Sequence, residues 1–376
     1  MKILHVVERF DDNYGGPAKS IAALCKGLAH SGVKSAVISV NGSVDRNELA
    51  ELYEIPWKKV EPHKLGIGLY SPALRRKMFE AVSEADIVHL HSVWTFPSYY
   101  ALKAAVFYGK PLVISPRSSL MASSLRKSRI KKYIAKLIYV KKMLRVANAA
   151  IVSSSEECLD LKKVDGLLAV YQIANPVIKF NVDRGLLRNE FRTKLGLSNS
   201  VKILGFVGRL DKRKNIRELV ALANKVASRA DDLYLLIAGP VCDEKYYKDI
   251  LYDVEKCSLR ERFRYLGMLD LDELSKFYSG IDLFVSLSEF ENFGMSIAES
   301  MAYGTPVFVS EGCPWQELKE LGIGWWGVCS EASLVNAINS DLEGVSGVVS
   351  NYIDERYGPN KLGALVHDVY KRCLNY

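Results

Sequence analysis

Several features that would settle a protein's class early are missing from this chain. No apolar run approaches the roughly 18 to 20 residues needed to cross a bilayer as a helix, which sets membrane-spanning helical classes aside. The seven cysteines, at 25, 158, 242, 257, 313, 329 and 373, are odd in number and include no Cys-x-x-Cys pair, so neither a zinc framework nor a disulfide scaffold is indicated. The loop after the first apolar strand lacks Gly-x-Gly-x-x-Gly, which argues against a dinucleotide-binding dehydrogenase. There is no internal repeat and no low-complexity segment.

What is present is a globular balance. At 376 residues, 49% hydrophobic and 25% charged, the chain is long enough for two domains with a core each. A formal net charge of +8 calls for an anionic partner: a nucleoside diphosphate, an acidic membrane surface or a nucleic acid. Charge alone does not choose among them. The opening MKILHVVERF reads as a strand rather than a secretory signal, so the expected location is the cytoplasm.

The most informative stretch is Ser286 to Pro306, SLSEFENFGMSIAESMAYGTP. It follows an apolar run, residues 282–286, that reads as a buried parallel strand, and it opens into a helix carrying Met295, Ile297, Ala298, Met301 and Ala302. Glu291 lies in the loop and Glu299 a little over one turn past Gly294, so both carboxylates can look into one crevice. Gly294 allows close backbone approach, and the free N–H groups around Met295 and Ser296 suit an anion at a helix N-terminus. Carboxylates for hydroxyl groups and a helix end for phosphate are what a nucleotide sugar requires.

Other candidates follow the same strand-to-helix logic. Ile3 to Val7 reads as a strand, and Gly15-Gly16 precedes a helix from Pro17 to His30, where a Gly-Gly turn either serves only as a turn or brings N–H groups against a phosphate. A strand at 36–40 completes a βαβ start. Residues 43 to 80 are broken by Pro56, Pro62, Gly66, Gly68 and Pro72 and read as a surface excursion. The strand 86–91 delivers His89 and His91 on one face, each either a packed histidine or a crevice residue. Arg117 follows the strand 111–116 and either touches a ligand or supports its loop. Gly208-Arg-Leu-Asp-Lys-Arg-Lys-Asn215 links a strand to a helix, where Arg209 can fork onto a pyrophosphate and Lys214 adds a point charge. Residues 125 to 145 hold nine basic and no acidic side chains, with Ile130, Ile134, Leu137, Ile138 and Leu144 at helical spacing. That segment reads equally as a solvated face over a core-packed helix and as an interfacial helix on anionic lipid. Neither a nucleic-acid module nor aromatic interleaving is evident, so no nucleic-acid partner is expected.

Together these residues resemble the retaining nucleotide-sugar glycosyltransferases of the GT-B fold, family 4, group 1. The resemblance is carried by Glu291, Asn292, Phe293, Gly294 and Glu299 with Ser300-Met-Ala and Gly304-Thr-Pro306, by Val88-His-Leu-His91 with Trp94, by Ser115-Pro-Arg117, and by Arg209 with Lys214. Asn292 stands where many relatives have Gly, and Ser118 where Gly is usual. It implies an α/β architecture of two Rossmann-like domains facing each other across a cleft. Residues 1–175 would bind the acceptor, 176–360 would bind the donor, and a C-terminal helix at 361–376 would cross back to the first domain.

The implied site has Glu291 and His91 as catalytic residues. Gly15, Gly16, Arg209, Lys214, Asn292, Phe293, Gly294, Met295 and Glu299 would bind the donor, and Arg117 would contact acceptor or donor. By resemblance Glu299 holds the ribose and Glu291 the sugar hydroxyls. No cofactor and no metal ion are required. The expected donor is a nucleotide-diphosphate sugar, UDP preferred over GDP, and the expected acceptor a saccharide or polyprenyl-diphosphate-linked saccharide in bacterial surface-polysaccharide synthesis. The enzyme would lie free or peripherally on the cytoplasmic face of the inner membrane, held through 125–145. Two other readings remain: a non-catalytic nucleotide-sugar-binding scaffold, and a sugar-nucleotide hydrolase or epimerase of the same fold.

Overall fold

The computed structural model describes the chain except for residues 11–14, 41–47, 61–71, 122–123, 125–134, 165–167, 180, 229–231, 341–343 and 376. The chain divides into two compact units, residues 1–176 with 357–376, and residues 177–356. Each is built on one parallel sheet.

Unit 1 holds β1 (Lys2–Val7), α1 (Gly16–His30), β2 (Lys34–Ser39), α2 (Glu48–Leu52), β3 (Trp57–Lys59), α3 (Pro72–Ser83), β4 (Ile87–His91), α4 (Phe96–Tyr108), β5 (Leu112–Ser115), β6 (Ala149–Val152) and β7 (Val170–Gln172), with further helices between β5 and β7. The strand order is β3-β2-β1-β4-β5-β6-β7. Every residue of β4 is buried, His89 and His91 on one face included, as befits a central parallel strand covered on both faces by crossover helices. The register sets His5 opposite His89 and Val7 opposite His91. The C-terminal helix Pro359–Leu374 lies on α1 at a glycine crossing. A methyl group on Gly363 would come 2.4 Å from the Gly27 carbonyl carbon, and one on Gly27 would come 1.9 Å from the Pro359 oxygen. Two helix backbones this close leave no room for any side chain.

Of the stretch read as a surface excursion, residues 43–47 and 61–71 lie outside the described residues, and the rest includes α2, β3 and the start of α3. Pro72 does not break an element; it begins α3, because a first-turn proline forfeits no intrahelical hydrogen bond. In the basic segment, residues 125–134 lie outside the described residues, and the rest forms a π-helical turn, Lys136–Val140, followed by the helix Lys141–Val146. Leu144 is buried there, but Ile138 is 65% exposed and does not belong to a core-facing stripe. The π turn shifts the side-chain register away from the simple 3.6 period.

Unit 2 carries β8 (Lys202–Val207), β9 (Leu233–Ala238), β10 (Phe263–Tyr265), β11 (Leu283–Ser286), β12 (Val307–Ser310) and β13 (Trp325–Gly327) in the order β10-β9-β8-β11-β12-β13, all parallel. Its core packs β8, β9 and β11 under the helix Ile216–Ala227 and the helix Glu244–Glu255. A helix at Arg184–Lys194 belongs to this unit. It is tied down by charge: Arg188 and Arg192 each donate to Asp282 at 2.7 Å, and Asp282 also accepts the Ile203 N–H. Arg192 is 1% exposed, and its remaining donors reach the carbonyls of Gly280, Ser198 and Val201. Trp315 is fully buried just ahead of the helix Glu317–Leu321.

Candidate functional site

In both sheets the strand order reverses once, between β1 and β4 in unit 1 and between β8 and β11 in unit 2. Crossover helices leave such a point in opposite directions, opening a crevice at the carboxyl ends of the two strands. The predicted site residues fall at these two places.

In unit 2 the carboxyl ends are Val207 and Ser286. After β8, Asp211 caps the short turn Lys212–Lys214 by accepting the Arg213 N–H, and this aims Lys214 back across the crevice. Lys214 Nζ donates to Glu291 Oε1, an oxygen that also accepts from Ser288 Oγ at 2.8 Å. Both partners of the ion pair are 16% exposed. Arg209 stands apart from this pair, more than half exposed and 3.7 Å from Asp211.

Beyond Glu291 the loop is pinned by Trp315, whose indole N–H donates to the Phe293 carbonyl at 2.6 Å. Gly294 then turns the chain with φ 82 and caps the helix Met295–Ala302 without any side-chain cap. A side chain at 294 would be strained at that φ and would meet Ile297 Cδ1 at 2.7 Å. The first-turn N–H groups and the positive end of the helix dipole therefore face the crevice uncapped by a side chain. Glu299, on the same helix, accepts from the Tyr278 hydroxyl at 3.0 Å. The nearby Cys313 thiol is no nucleophile: burial, with Glu291 adding to it, pushes it up to about 12.

In unit 1 the carboxyl ends are Val7 and His91. Gly15 is the N-cap of α1 and Gly16 its first residue. A pocket here is lined by Ser20, His89, His91, Ser115, Arg117 and Asn175, among others. Arg117 donates to His91 Nδ1 from Nε at 3.2 Å and to Ser20 Oγ at 2.8 Å. His91 Nε2 and His5 Nδ1 are 3.0 Å apart. An arginine can only donate, so His91 Nδ1 accepts, its proton sits on Nε2, and His5 Nδ1 accepts that in turn. His89 spans Tyr370 Oη at 2.7 Å and Ser115 Oγ at 2.8 Å.

All three imidazoles are held neutral. Burial, then the Arg117 charge, lowers His5 to about 3, and His89 and His91 lie well below the ordinary value for the same reasons together with their mutual repulsion. One nitrogen from each of His5, His89 and His91 lies within 4.8 Å of the others, a spacing a cation could bridge. The tautomers argue otherwise, since both nitrogens of His91 are engaged and the Arg117 cation stands against the ring. Arg117, His91 and His5 form a hydrogen-bond chain running inward from the pocket, and His89 packs beside it, its ring centroid 4.2 Å from that of His91, with partners of its own.

Arg117 and Ser118 both hold left-handed backbone, φ 51 and 60, a conformation that glycine adopts at lower cost. The strain is held by Glu157, a buried carboxylate that accepts the N–H groups of Ser118 and Ser153. His5, Glu157, Tyr370, Ser288 and Tyr278 were not singled out from sequence. Only His5 had a usable signal, its place on a strand neighbouring the His89 strand.

Comparison with known proteins agrees with this layout. Residues 14–177 match the model of Glycosyltransferase Family 4 and residues 188–344 that of Glycosyl transferases group 1. The Anabaena protein HepE, solved with UDP and glucose, superposes with a TM-score of 0.80 over 99% of both chains at 19% identity, which defines the fold as GT-B. A sucrose-phosphate synthase from Thermosynechococcus elongatus superposes with a TM-score of 0.71 over 99% of this chain and 98% of its own, also at 19% identity. Among sequences, a GDP-mannose-dependent alpha-mannosyltransferase of Corynebacterium glutamicum is 25% identical over 81% of this chain and 71% of its own. A GDP-mannose:cellobiosyl-diphosphopolyprenol alpha-mannosyltransferase of Xanthomonas oryzae is 23% identical over 85% and 80%. The chain belongs to the group 1, family 4 glycosyltransferases, and it is an enzyme of the hexosyltransferase type.

Proposed function

We propose that the enzyme is a retaining glycosyltransferase that moves a hexosyl group from a nucleoside-diphosphate sugar to a hydroxyl of a saccharide or lipid-linked saccharide. The observation that carries this reading is the Lys214–Glu291 pair beside the uncapped N-terminus of the helix Met295–Ala302, at the switch point of the second sheet. HepE was solved with UDP and with UDP-glucose, and two mannosyltransferases among the relatives are named for GDP-mannose. We rank a UDP-sugar ahead of a GDP-sugar on the fold likeness. The polyprenol-linked acceptor of the Xanthomonas relative supports a lipid-linked saccharide in surface-polysaccharide assembly.

In this mechanism the C1–O bond to the diphosphate breaks while the acceptor oxygen bonds to C1 from the same face, and a leaving-phosphate oxygen takes the acceptor proton. Charge builds on the departing β-phosphate. Lys214, Arg209 and the N–H groups of Met295 and Ser296 stabilise it, each donor contributing on the order of 3 kcal/mol. Lys214 must turn from Glu291 to the phosphate when donor binds. That frees Glu291 for the sugar hydroxyls and for the positive charge at C1, while Glu299 takes the ribose hydroxyls. His91 and Arg117 serve the sugar or the acceptor, with Gly15 and Gly16 at the neighbouring helix start.

The test is Glu291→Gln, assayed by transfer and by nucleoside-diphosphate titration. Transfer should fall about a hundredfold or more while UDP or GDP affinity holds, because the lost carboxylate acts on the sugar. Full transfer activity in the variant would remove Glu291 from the mechanism. NMR of the product's anomeric proton, compared with the donor's, decides retention.

A further inference from the structure

The α3–α4 face of unit 1 carries a ridge of aromatic side chains that the transfer site does not use. Phe107 is 71% exposed, Val106 47% and Tyr108 40%. The rings of Phe107 and Tyr108 are 4.9 Å apart and lie 5.8 and 6.1 Å from Phe79 on α3. Cations frame these rings, with the Arg75 guanidinium 5.5 Å over Phe79 and Lys103 Nζ 5.3 Å over Tyr99. Tyr99 in turn meets Tyr139 at 5.3 Å, which carries the surface on to exposed Ile138, Lys141 and Lys142.

Large apolar side chains grouped on one exposed face mark an interaction surface, because soluble proteins otherwise keep such patches small. The charge around it chooses the occupant. Arg75, Arg76, Lys77, Lys103 and Lys110 lie on or beside the two helices, against the carboxylates of Glu80, which pairs with Arg76 at 3.8 Å, and Glu84. A second copy would set one cationic frame against another, and a nucleic acid would have no use for Val106 or Ile138. Rings and aliphatic side chains bordered by lysine and arginine suit the interface of a bilayer, where rings enter the headgroup layer and cations meet lipid phosphate.

We propose that the α3–α4 ridge, led by Phe107 and Tyr108 and flanked by Lys103 and Arg75, docks the enzyme on an anionic lipid bilayer. The proposal stands apart from the transfer mechanism and from the undescribed part of the basic segment.

The experiment is co-sedimentation of the full chain with vesicles of phosphatidylglycerol and phosphatidylcholine in equal parts, and with phosphatidylcholine alone. The wild type should pellet with the mixed vesicles, release as salt is raised, and stay in solution with phosphatidylcholine. F107S/Y108S should weaken partitioning about tenfold or more. K103E should weaken it several-fold, and both variants should keep wild-type nucleoside-diphosphate affinity as evidence of an intact fold and donor site. Wild-type protein left in the supernatant with mixed vesicles overturns the proposal. So does undiminished binding by F107S/Y108S, or a lipid-free dimer that this variant abolishes, which would assign the ridge to a second copy.

Discussion

The two switch points use one topological device with opposite electrostatics. In unit 1 the crevice between β1 and β4 is furnished with three buried, neutral imidazoles: His91 bonds Arg117 and His5, His89 bonds Tyr370 and Ser115, and His5 Nε2 has no hydrogen-bond partner among the described residues. In unit 2 the crevice between β8 and β11 is furnished with an ion pair and an uncapped helix end. A chain of neutral rings has fixed tautomers and stays rigid, but it tolerates acid poorly. An ion pair of 16% exposed partners is opened by any anion that offers Lys214 a better match. The first arrangement suits orientation of hydroxyl groups, and the second suits capture of a diphosphate.

Four changes sharpen or break that contrast. The largest effect is expected in unit 2, from Asp282→Ala. It strands Arg192, 1% exposed, and Arg188 without their carboxylate, so urea unfolding should show a loss of about 3–5 kcal/mol. A loss under about 1 kcal/mol would mean water replaces the pair freely. In unit 1, Gly363→Ala forces a methyl into the Gly27 backbone and should cost about 1–3 kcal/mol. It should also move the helix that delivers Tyr370 to His89, which an upward shift of the His89 titration, followed by NMR, would register.

The third change is acid. The folded pKa of His5, about 3, lies below that of an unfolded histidine near 6.5. Between those values the unfolded chain binds a proton that the folded chain refuses, so stability is full above about pH 6.5 and declines as pH falls toward 3. His89 and His91 act in the same direction. Each contributes a slope of up to about 1.4 kcal/mol per pH unit, and His5→Asn should remove one such share. Unchanged acid sensitivity in that variant would show that the rings titrate in the folded state. The smallest effect is Ser118→Gly, which relieves left-handed backbone and should stabilise by about 1 kcal/mol or less, read as a small rise in Tm.

Unit 2 was the more legible half. Its site is assembled from contiguous segments, so the spacing of Glu291, Gly294 and Glu299 and the Arg209–Lys214 loop display the strand–turn–helix context directly in the sequence. The pairing of Lys214 with Glu291 was not legible, because it joins residues 77 apart through strand order rather than sequence. Unit 1 hid more. Tyr370 reaches His89 across 281 residues, and no local pattern announces that contact. His5 shares a sheet face with His89 only once the register of β1 on β4 is known. The exposure of Ile138 depended on a π turn, and π turns have no distinct periodic signature.

The most direct test of the account is calorimetric titration of UDP and GDP into the wild type, Lys214→Ala and His91→Asn, with folding checked by circular dichroism. If the unit 2 switch point holds the diphosphate, Lys214→Ala should lose about tenfold or more in affinity for the nucleotide that binds, while His91→Asn stays within about twofold. Wild-type affinity in Lys214→Ala, or a loss confined to His91→Asn, would place the diphosphate elsewhere and contradict the assignment.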